Sequence, residues 1–191
     1  MINIKMIISF LNKIEKLKCI TRHSWTSDGR KESVAEHSWR LAIMIYLLQD
    51  ELKGCNVDKM VTMALFHDIS EVKFGDVPGF NKTKKDVEKE KKVLEEISEE
   101  YKELGINQII DVVKEIDIKE SKEAKIVNAL DKLEGLIQHN EADISTWIDL
   151  EYDLNLTYGI QECEVNTVIN KLREQVKNIA IDKMGSKAPA H

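Results

Sequence analysis

The stretch VDKMVTMALFHDIS, residues 57–70, carries the pattern that decides the fold of this chain. Its apolar residues recur at intervals of three and four, which is the spacing of one face of an α-helix. The residues on the inner side are Val57, Val61, Ala64 and Leu65. The pattern therefore predicts a helix over residues 57–70 with one buried face, and the adjacent polar pair His67 and Asp68 lies near its C-terminal end.

The rest of the chain is predicted to be helical as well. Among its 191 residues only 8 are Gly and 2 are Pro, the residues that disfavour helices most strongly. Similar patterns predict helices over residues 5–18, 34–53, 82–103, 107–117, 121–142 and 161–183. Ser33 and Glu36 predict a capping box at the start of the second helix. With no convincing strand, the sequence indicates one all-α domain over residues 1–183 and a flexible tail over residues 184–191.

Charge and cysteine content limit the compartment and the partners. The net charge of −6 argues against a nucleic-acid polymer as partner, since such binding requires a basic surface. No window approaches the ~20 consecutive apolar residues of a membrane span. The three widely spaced cysteines form no CxxC pair, which is typical of reduced thiols. We therefore expect a cytoplasmic protein with no nucleic-acid or membrane partner.

Two further polar residues lie on apolar helix faces, as His67 and Asp68 do. His37 shares a stripe with the apolar residues of the second helix, and Asp131 lies between apolar neighbours in a later one. Buried groups of this kind are costly unless they are paired. Imidazole and carboxylate ligands together suit a divalent transition metal. Two alternatives to a metal site stay open. The His and Asp side chains could form a hydrogen bond that joins two helices, and the Asp131 side chain could lie at the surface.

Four more side chains are candidates for hydrolytic chemistry. Glu71 follows His67 by one turn, and Asp76 lies in the loop where Gly and Pro cluster. Hydrolysis requires a group that takes a proton from water and another that protonates the leaving oxygen. Arg22 can bind a phosphate through two parallel hydrogen bonds, and Trp25 can pack against a base or sugar. Each of the four could equally be an ordinary surface residue.

Taken in order, these residues resemble the ligand pattern of the HD-domain phosphohydrolases, and more closely that of the HD-domain 5'-deoxynucleotidases of bacteria and eukaryotes. The resemblance covers roughly residues 5–180 and is more specific than the His-Asp pair alone. The matching stretches are Leu17-Lys18 to Arg22, Glu32-Ser33-Val34-Ala35-Glu36-His37-Ser38, Ala64-Leu65-Phe66-His67-Asp68-Ile69-Ser70-Glu71, Gly75-Asp76-Val77-Pro78, and Ser121-Lys122-Glu123-Ala124-Lys125 with Asp131-Lys132-Leu133-Glu134.

The resemblance implies a compact HD-domain helical bundle with one divalent metal of the Co, Mn, Fe, Ni or Zn class. It implies a homodimeric enzyme that hydrolyses deoxyribonucleoside 5'-monophosphates to the deoxynucleoside and phosphate. The implied metal ligands are His37, His67, Asp68 and Asp131, and the implied catalytic carboxylates are Glu71 and Asp76, whose separate roles stay open. The implied substrate-binding residues are Arg22, Trp25, Asp76, Val77, Pro78 and Gly79.

One position departs from the bacterial members of that family. There a Trp directly follows the phosphate-orienting Arg, whereas here His23 follows Arg22 and Trp25 comes two residues later. This departure weakens the transfer of a base preference from those members to this chain.

Two other functions stay open at this point. One is another HD-domain nucleotide phosphohydrolase, which releases pyrophosphate from nucleoside triphosphates or hydrolyses guanosine tetraphosphate, with Lys82, Lys84 and Lys85 as binding groups. The other is a non-catalytic, metal-bound module that senses nucleotides. The products distinguish these functions: a monophosphatase releases phosphate, a triphosphate hydrolase releases pyrophosphate, and a sensing module leaves nucleotides intact.

Overall fold

The computed structural model describes residues 3–185, and most of them are helical. The helices are α1 (Ile4–Ile14), α2 (Val34–Leu47), α3 (Val57–Phe66), α4 (Glu71–Phe74), α5 (Lys84–Glu100), α6 (Ile106–Ile118), α7 (Lys122–Glu141), α8 (Asp149–Thr157), α9 (Ile160–Cys163) and α10 (Thr167–Gly185). Short 3-10 turns lie at Glu15–Lys18, Gln49–Glu51, Lys102–Leu104 and Ile144–Thr146. The all-α fold class is confirmed. Of the predicted tail over residues 184–191, Met184 and Gly185 belong to α10, and the other residues lie outside the described ones.

Helix α7 lies at the centre of the bundle. It packs against α2, α3, α6, α9 and α10, and side chains along most of its length are buried. The largest core cluster joins Leu130 and Leu133 of α7 to Leu41 of α2 and Met60 of α3. Burying each side chain of this size contributes roughly 1.5–3 kcal/mol. Because α7 is held on several sides, it is a rigid support for the polar residues that it carries.

A second core cluster holds the helix ends from which the candidate ligands project. Phe10 of α1 packs edge-on against Tyr101, with ring centroids 5.1 Å apart. Val34, at the start of α2, and Ile69, which follows the His-Asp pair, are buried in the same cluster. Within residues 3–185, no helix combines the length and hydropathy needed to cross a lipid bilayer.

The segment between α1 and α2 forms a β-hairpin, so the prediction of no strand was wrong. β1 (Thr21–Trp25) pairs antiparallel with β2 (Lys31–Ser33), with Thr21 opposite Ser33. A turn that contains Asp28-Gly29 joins them, and Gly29 has a φ of +85° there, which residues with a Cβ disfavour. Both strands are short and mostly polar. They therefore lack the apolar alternation by which a strand is recognised in a sequence.

Helix α3 ends earlier than predicted, at Phe66. His67 still has helical dihedral angles, and the chain then turns tightly into the short helix α4. A hydrogen bond from Glu71 N to Asp68 O (3.0 Å) closes this turn. The turn leaves the adjacent side chains of His67 and Asp68 facing the same point, with His67 Nε2 3.0 Å from Asp68 Oδ2.

The capping box predicted at the start of α2 is confirmed. Ser33 Oγ accepts a hydrogen bond from Glu36 N (3.3 Å), and Ser33 N donates to Glu36 Oε2 (2.8 Å). We expect Ser33→Ala to lower the free energy of unfolding by about 1 kcal/mol, because one helix-end donor loses its acceptor. Thermal unfolding checks this. Ser27→Ala, in the exposed hairpin turn, is the control and should change stability by less than about 0.5 kcal/mol.

Candidate metal centre and active site

The four predicted metal ligands converge on one point inside the bundle. His37 comes from α2, His67 and Asp68 from the end of α3, and Asp131 from α7. His37 Nε2 lies 3.2 Å from His67 Nε2 and 3.0 Å from Asp131 Oδ1. His67 Nε2 lies 3.8 Å from the same Asp131 oxygen. The two imidazole nitrogens and Asp131 Oδ1 thus surround a space that one cation can occupy, and Asp68 Oδ2 borders it at 3.9 Å from His37 Nε2.

Hydrogen bonds on the far side of each ring aim both imidazoles at this point. His67 Nδ1 donates to the carbonyl oxygen of Ala64 (2.9 Å), and His37 Nδ1 donates to the carboxylate of Glu134. Both rings therefore present Nε2 to the centre. Glu134 has no exposed surface and is itself held by Arg40 Nε at 2.6 Å. Such outer partners fix the ring orientation of metal-binding histidines and raise their basicity.

The charges of the cluster fit a cation. Burial and the neighbouring Arg22 guanidinium favour neutral His37, yet Glu134 and Asp131 outweigh them and raise its pKa to about 10. Burial opposes ionisation of Asp131, but hydrogen bonding from His37 and the charge of His67 hold the pKa of this carboxyl below its usual range. The pocket thus stabilises positive charge at its centre. A divalent metal supplies that charge and leaves both histidines neutral.

Beside the ligands lies a cavity of about 160 Å³, walled by β1, the loop after α4, and helices α7 and α8. Most of the predicted catalytic and substrate-binding residues line it, namely Arg22, Glu71, Asp76, Val77, Pro78 and Gly79. Asp68 and Asp131 border it as well, so the ligand cluster opens into this space. The structure therefore brings the candidate metal and the candidate catalytic residues into one site.

Trp25 is the predicted substrate-binding residue that lies elsewhere. It borders a small recess next to the main cavity, and its ring packs under Lys31, with Nζ 4.4 Å from the ring centroid. Its backbone oxygen accepts a hydrogen bond from Gln138. The cavity position belongs to His23, which lines the cavity together with Arg22 and Ser24. The ring of His23 meets Phe80 edge-on, with centroids 5.5 Å apart.

Arg22 is held beside the ligands by two carboxylates. Its Nη1 lies 3.6 Å from Asp68 Oδ2, and its Nε lies 3.3 Å from Glu32 Oε2. Burial disfavours the charge, but Asp68, Glu134 and their neighbours raise the pKa of the guanidinium further above its ordinary value. Arg22 therefore stays protonated in the cavity. A planar guanidinium in this position can bind two oxygens of a phosphate.

Glu71 begins α4 and Asp76 follows its last turn, and both residues line the cavity. Glu71 is 5% exposed, and its Oε2 is buried with no hydrogen-bond partner among residues 3–185. Burial, Asp68 and Asp76 together raise the pKa of Glu71 to about 10. Gly75 has a φ of +80°, and this left-handed turn carries Asp76 into the cavity wall. Burial also raises the pKa of Asp76.

Several residues of the site were not among the predicted ones. Glu134 had a usable signal, because it lies one turn after Asp131 on the same face of α7 and between buried residues. His139 lies on the same face of α7, two turns after Asp131. The residues that α8 contributes, Glu151 and Asn155, come from a stretch whose sequence predicted no element.

The fold and the site together define an HD-domain protein: a helical bundle that gathers a His, a His-Asp pair and a distant Asp. A family model described as an HD domain matches residues 14–173. The Homo sapiens 5'-deoxynucleotidase HDDC2 is 30% identical to this chain over 152 residues, which are 78% of this chain and 71% of the human protein. This chain belongs to the family of HD-domain 5'-deoxynucleotidases.

A second relative agrees with this placement, and a solved structure agrees with the fold. The Saccharomyces cerevisiae 5'-deoxynucleotidase YBR242W is 32% identical over 140 residues, which are 69% of this chain and 58% of the yeast protein. A crystal structure from Magnetospirillum magnetotacticum MS-1, described as a predicted metal-dependent phosphohydrolase, superposes with a TM-score of 0.83. It covers 99% of this chain and 100% of its own at 24% identity, so it supports the fold.

The contact between Glu134 and His37 provides a test of the metal centre. We expect Glu134→Gln to weaken metal affinity by about 10- to 100-fold, because the imidazole loses its charged partner. Isothermal titration with Co²⁺ or Mn²⁺ measures this. Glu141→Gln is the matched control, since Glu141 also pairs with Arg40 but is 48% exposed and distant from the ligand cluster. Equal affinities of the two variants would remove Glu134 from the metal site.

Proposed function

We propose that this protein hydrolyses deoxyribonucleoside 5'-monophosphates to the deoxynucleoside and inorganic phosphate. The observation that carries the proposal is the single cavity in which the ligand cluster, a guanidinium and a protonated carboxyl meet. The human and yeast relatives named as 5'-deoxynucleotidases support this substrate class over nucleoside triphosphates and guanosine tetraphosphate.

The ligand set of two imidazole nitrogens and two carboxylates supports a metal of the Co, Mn, Fe, Ni or Zn class. His37, His67, Asp68 and Asp131 would hold it. When bound, such a cation neutralises charge on the phosphate and lowers the pKa of a coordinated water.

Two of the cationic side chains that line the cavity would orient the phosphate. Arg22 offers its guanidinium edge beside the ligands, and Lys82, which pairs with Glu90 at 2.8 Å, borders the same space. Both positive charges lie where negative charge increases during hydrolysis. Fixed charges of this kind stabilise a transition state without reorganising at the moment of reaction.

The two non-ligand carboxyls would carry the protons. Glu71 is the more deeply buried of the two, so the proton that they share resides on it at neutral pH. Asp76 would accept a proton from the attacking water as the new P–O bond forms. Glu71 would give its proton to the 5'-oxygen as the bond from phosphorus to that oxygen breaks. Acid–base pairs of this kind contribute about 10²- to 10⁴-fold.

Phosphate release from a panel of deoxy- and ribonucleoside mono-, di- and triphosphates, with each of several divalent metals, tests the proposal. Phosphate from deoxynucleoside monophosphates alone is the expected result. Pyrophosphate as product would establish the triphosphate alternative. A metal-loaded protein that leaves the whole panel intact would establish the sensing alternative.

The proposal extends to the assembly and the compartment. We infer a single-domain cytoplasmic homodimer. Support for the dimer comes from the outer face of α2, where Trp39, Tyr46 and Leu47 are 60% exposed or more. Light scattering during size-exclusion chromatography measures the mass. A monomer at micromolar concentration would refute the dimer and leave the catalytic proposal intact.

A further inference from the structure

The cavity continues beyond the ligand cluster along one face of α7. Asp131, Gly135 and His139 lie on that face at intervals of four residues, and all three line the cavity. The eight residues from Asp131 to His139 correspond to about 12 Å along the helix axis. Gly135, midway, adds no side chain to the cavity floor. A nucleotide whose phosphate lies at the Asp131 end therefore has its nucleoside directed toward the His139 end.

The wall at the His139 end is fixed by a buried carboxylate. Glu151 is 2% exposed, and its Oε2 accepts a hydrogen bond from Ile148 N at 2.8 Å. Its Oε1 contacts His23 Nε2 and lies 3.3 Å from His139 Nδ1. Both rings are thus held in place by one oxygen, and their edges form part of the cavity wall.

Asn155, one turn after Glu151 on α8, adds an unpaired acceptor to this wall. The Asn155 side chain is almost completely buried, and the residue lines the cavity. Its Nδ2 donates to the carbonyl oxygen of Glu151 at 2.8 Å, and because that oxygen can only accept, the amide orientation is determined. The Asn155 backbone oxygen is occupied by Arg173 Nη2 at 3.3 Å. Oδ1 remains without a hydrogen-bond partner among residues 3–185.

A buried acceptor that lacks a partner is uncommon and costly in a folded protein. Where such an atom borders a binding cavity, a ligand that brings a donor removes the cost. We propose that Asn155 recognises the nucleoside part of the substrate, with Oδ1 accepting a hydrogen bond from a donor group of the nucleoside. The donor is an amino group of the base or the 3'-hydroxyl of the sugar. This inference rests on the proposed function, because it takes the ligand to be a nucleotide.

Matched nucleotides separate the two donors. The first set contains deoxyadenosine 5'-monophosphate, its analogue with an unsubstituted purine base, and 2',3'-dideoxyadenosine 5'-monophosphate. A second set makes the same changes in the cytosine series. We expect loss of the recognised donor to lower kcat/KM by at least about tenfold in one of the sets, because it leaves Oδ1 unpaired. Loss of the amino group identifies the base, and loss of the 3'-hydroxyl identifies the sugar.

Asn155→Leu, which keeps the volume but has no acceptor, should abolish this discrimination. Its kcat/KM should fall only for nucleotides that carry the recognised donor. Asn140→Leu is the matched control, because Asn140 also has a buried unpaired Oδ1 but faces Val176 of α10 instead of the cavity. It should keep the wild-type discrimination. If wild-type protein treats all members of both sets alike, the inference is overturned, whether or not Asn155→Leu folds.

A binding measurement separates this inference from the proposed function. Calorimetry with the free nucleosides (deoxyadenosine, purine deoxyriboside, 2',3'-dideoxyadenosine and the cytosine series) reports on the Asn155 end without any turnover. Wild-type preference for the donor-bearing nucleosides that Asn155→Leu loses supports the subsite even if no nucleotide is hydrolysed. If the protein hydrolyses monophosphates but binds every nucleoside with the same affinity, the proposed function is supported and the role of Asn155 is refuted.

Discussion

Replacing Asp68 with asparagine (Asp68→Asn) is expected to lower kcat/KM for phosphate release by about 10³-fold or more. Asp68 Oδ2 lies 3.0 Å from His67 Nε2, at the centre of the proposed metal site, and Arg22 Nη1 is 3.6 Å from the same oxygen. An amide provides a weaker, uncharged ligand there. A bound metal supplies several kcal/mol of transition-state stabilisation, and each 1.36 kcal/mol is tenfold in rate.

Metal content and kinetics together check this prediction. The variant should contain less than one metal per chain after dialysis, as measured by inductively coupled plasma mass spectrometry. Asp58→Asn is the matched control, since Asp58 lies on α3, the helix that Asp68 follows, but is exposed. It should keep full activity and metal content. An Asp68→Asn variant that retains both would show that the metal centre lies elsewhere.

The helices and the ligand quartet were predictable because one physical rule underlies both. Because a helix buries one face, its apolar residues recur at intervals of three and four positions. A polar residue on that face therefore stands out in the sequence. His37, His67 and Asp131 were found in this way. All three lie at the junction of α2, α3 and α7, where the core cluster fixes the backbone.

The hairpin was not predictable by this rule, although it carries Arg22. Its strands pair through backbone hydrogen bonds, and their side chains are mostly polar and form part of the site instead of an apolar core. The pairing of the two strands is irregular between Thr21 and Trp25, so simple alternation does not give the positions of the aromatic side chains on β1. A sequence argument counts Trp25 as the packing residue, whereas His23 lines the cavity and Trp25 lines the recess.

The outer part of the site depends on contacts between distant segments, which single-sequence patterns do not contain. Glu134 acts on His37 across 97 positions, and Glu151 acts on His23 across 128. Asn155 lies in a helix of nine residues with a weak apolar face. Such residues are recognisable once burial and unpaired polar atoms are known. Sequence therefore locates the chemistry, and packing is needed to locate the residues that orient it and select its substrate.

Glu71→Gln is expected to keep the metal and to lower kcat by about 10²- to 10⁴-fold, because the amide cannot give a proton to the leaving oxygen. A second effect follows from its pKa, which rises from 4.5 to about 10 on folding. The stability that protonated Glu71 provides is complete below its unfolded pKa and is lost as pH rises through the folded pKa. Metal-free Glu71→Gln should therefore exceed the wild type in Tm, by a margin that widens from about pH 5 to pH 9.

Two measurements beside kcat decide the role of Glu71. Metal content distinguishes a proton donor from a ligand, because loss of metal in Glu71→Gln would make Glu71 a ligand and contradict its assignment as the acid. The difference in Tm between the metal-free proteins, measured in chelator against pH, reports the buried proton directly. Glu95→Gln, an exposed position on α5, should show neither effect. If the wild-type Tm equals that of Glu71→Gln at every pH, Glu71 ionises normally in its cavity. The proton for the leaving oxygen would then have to come from Asp76.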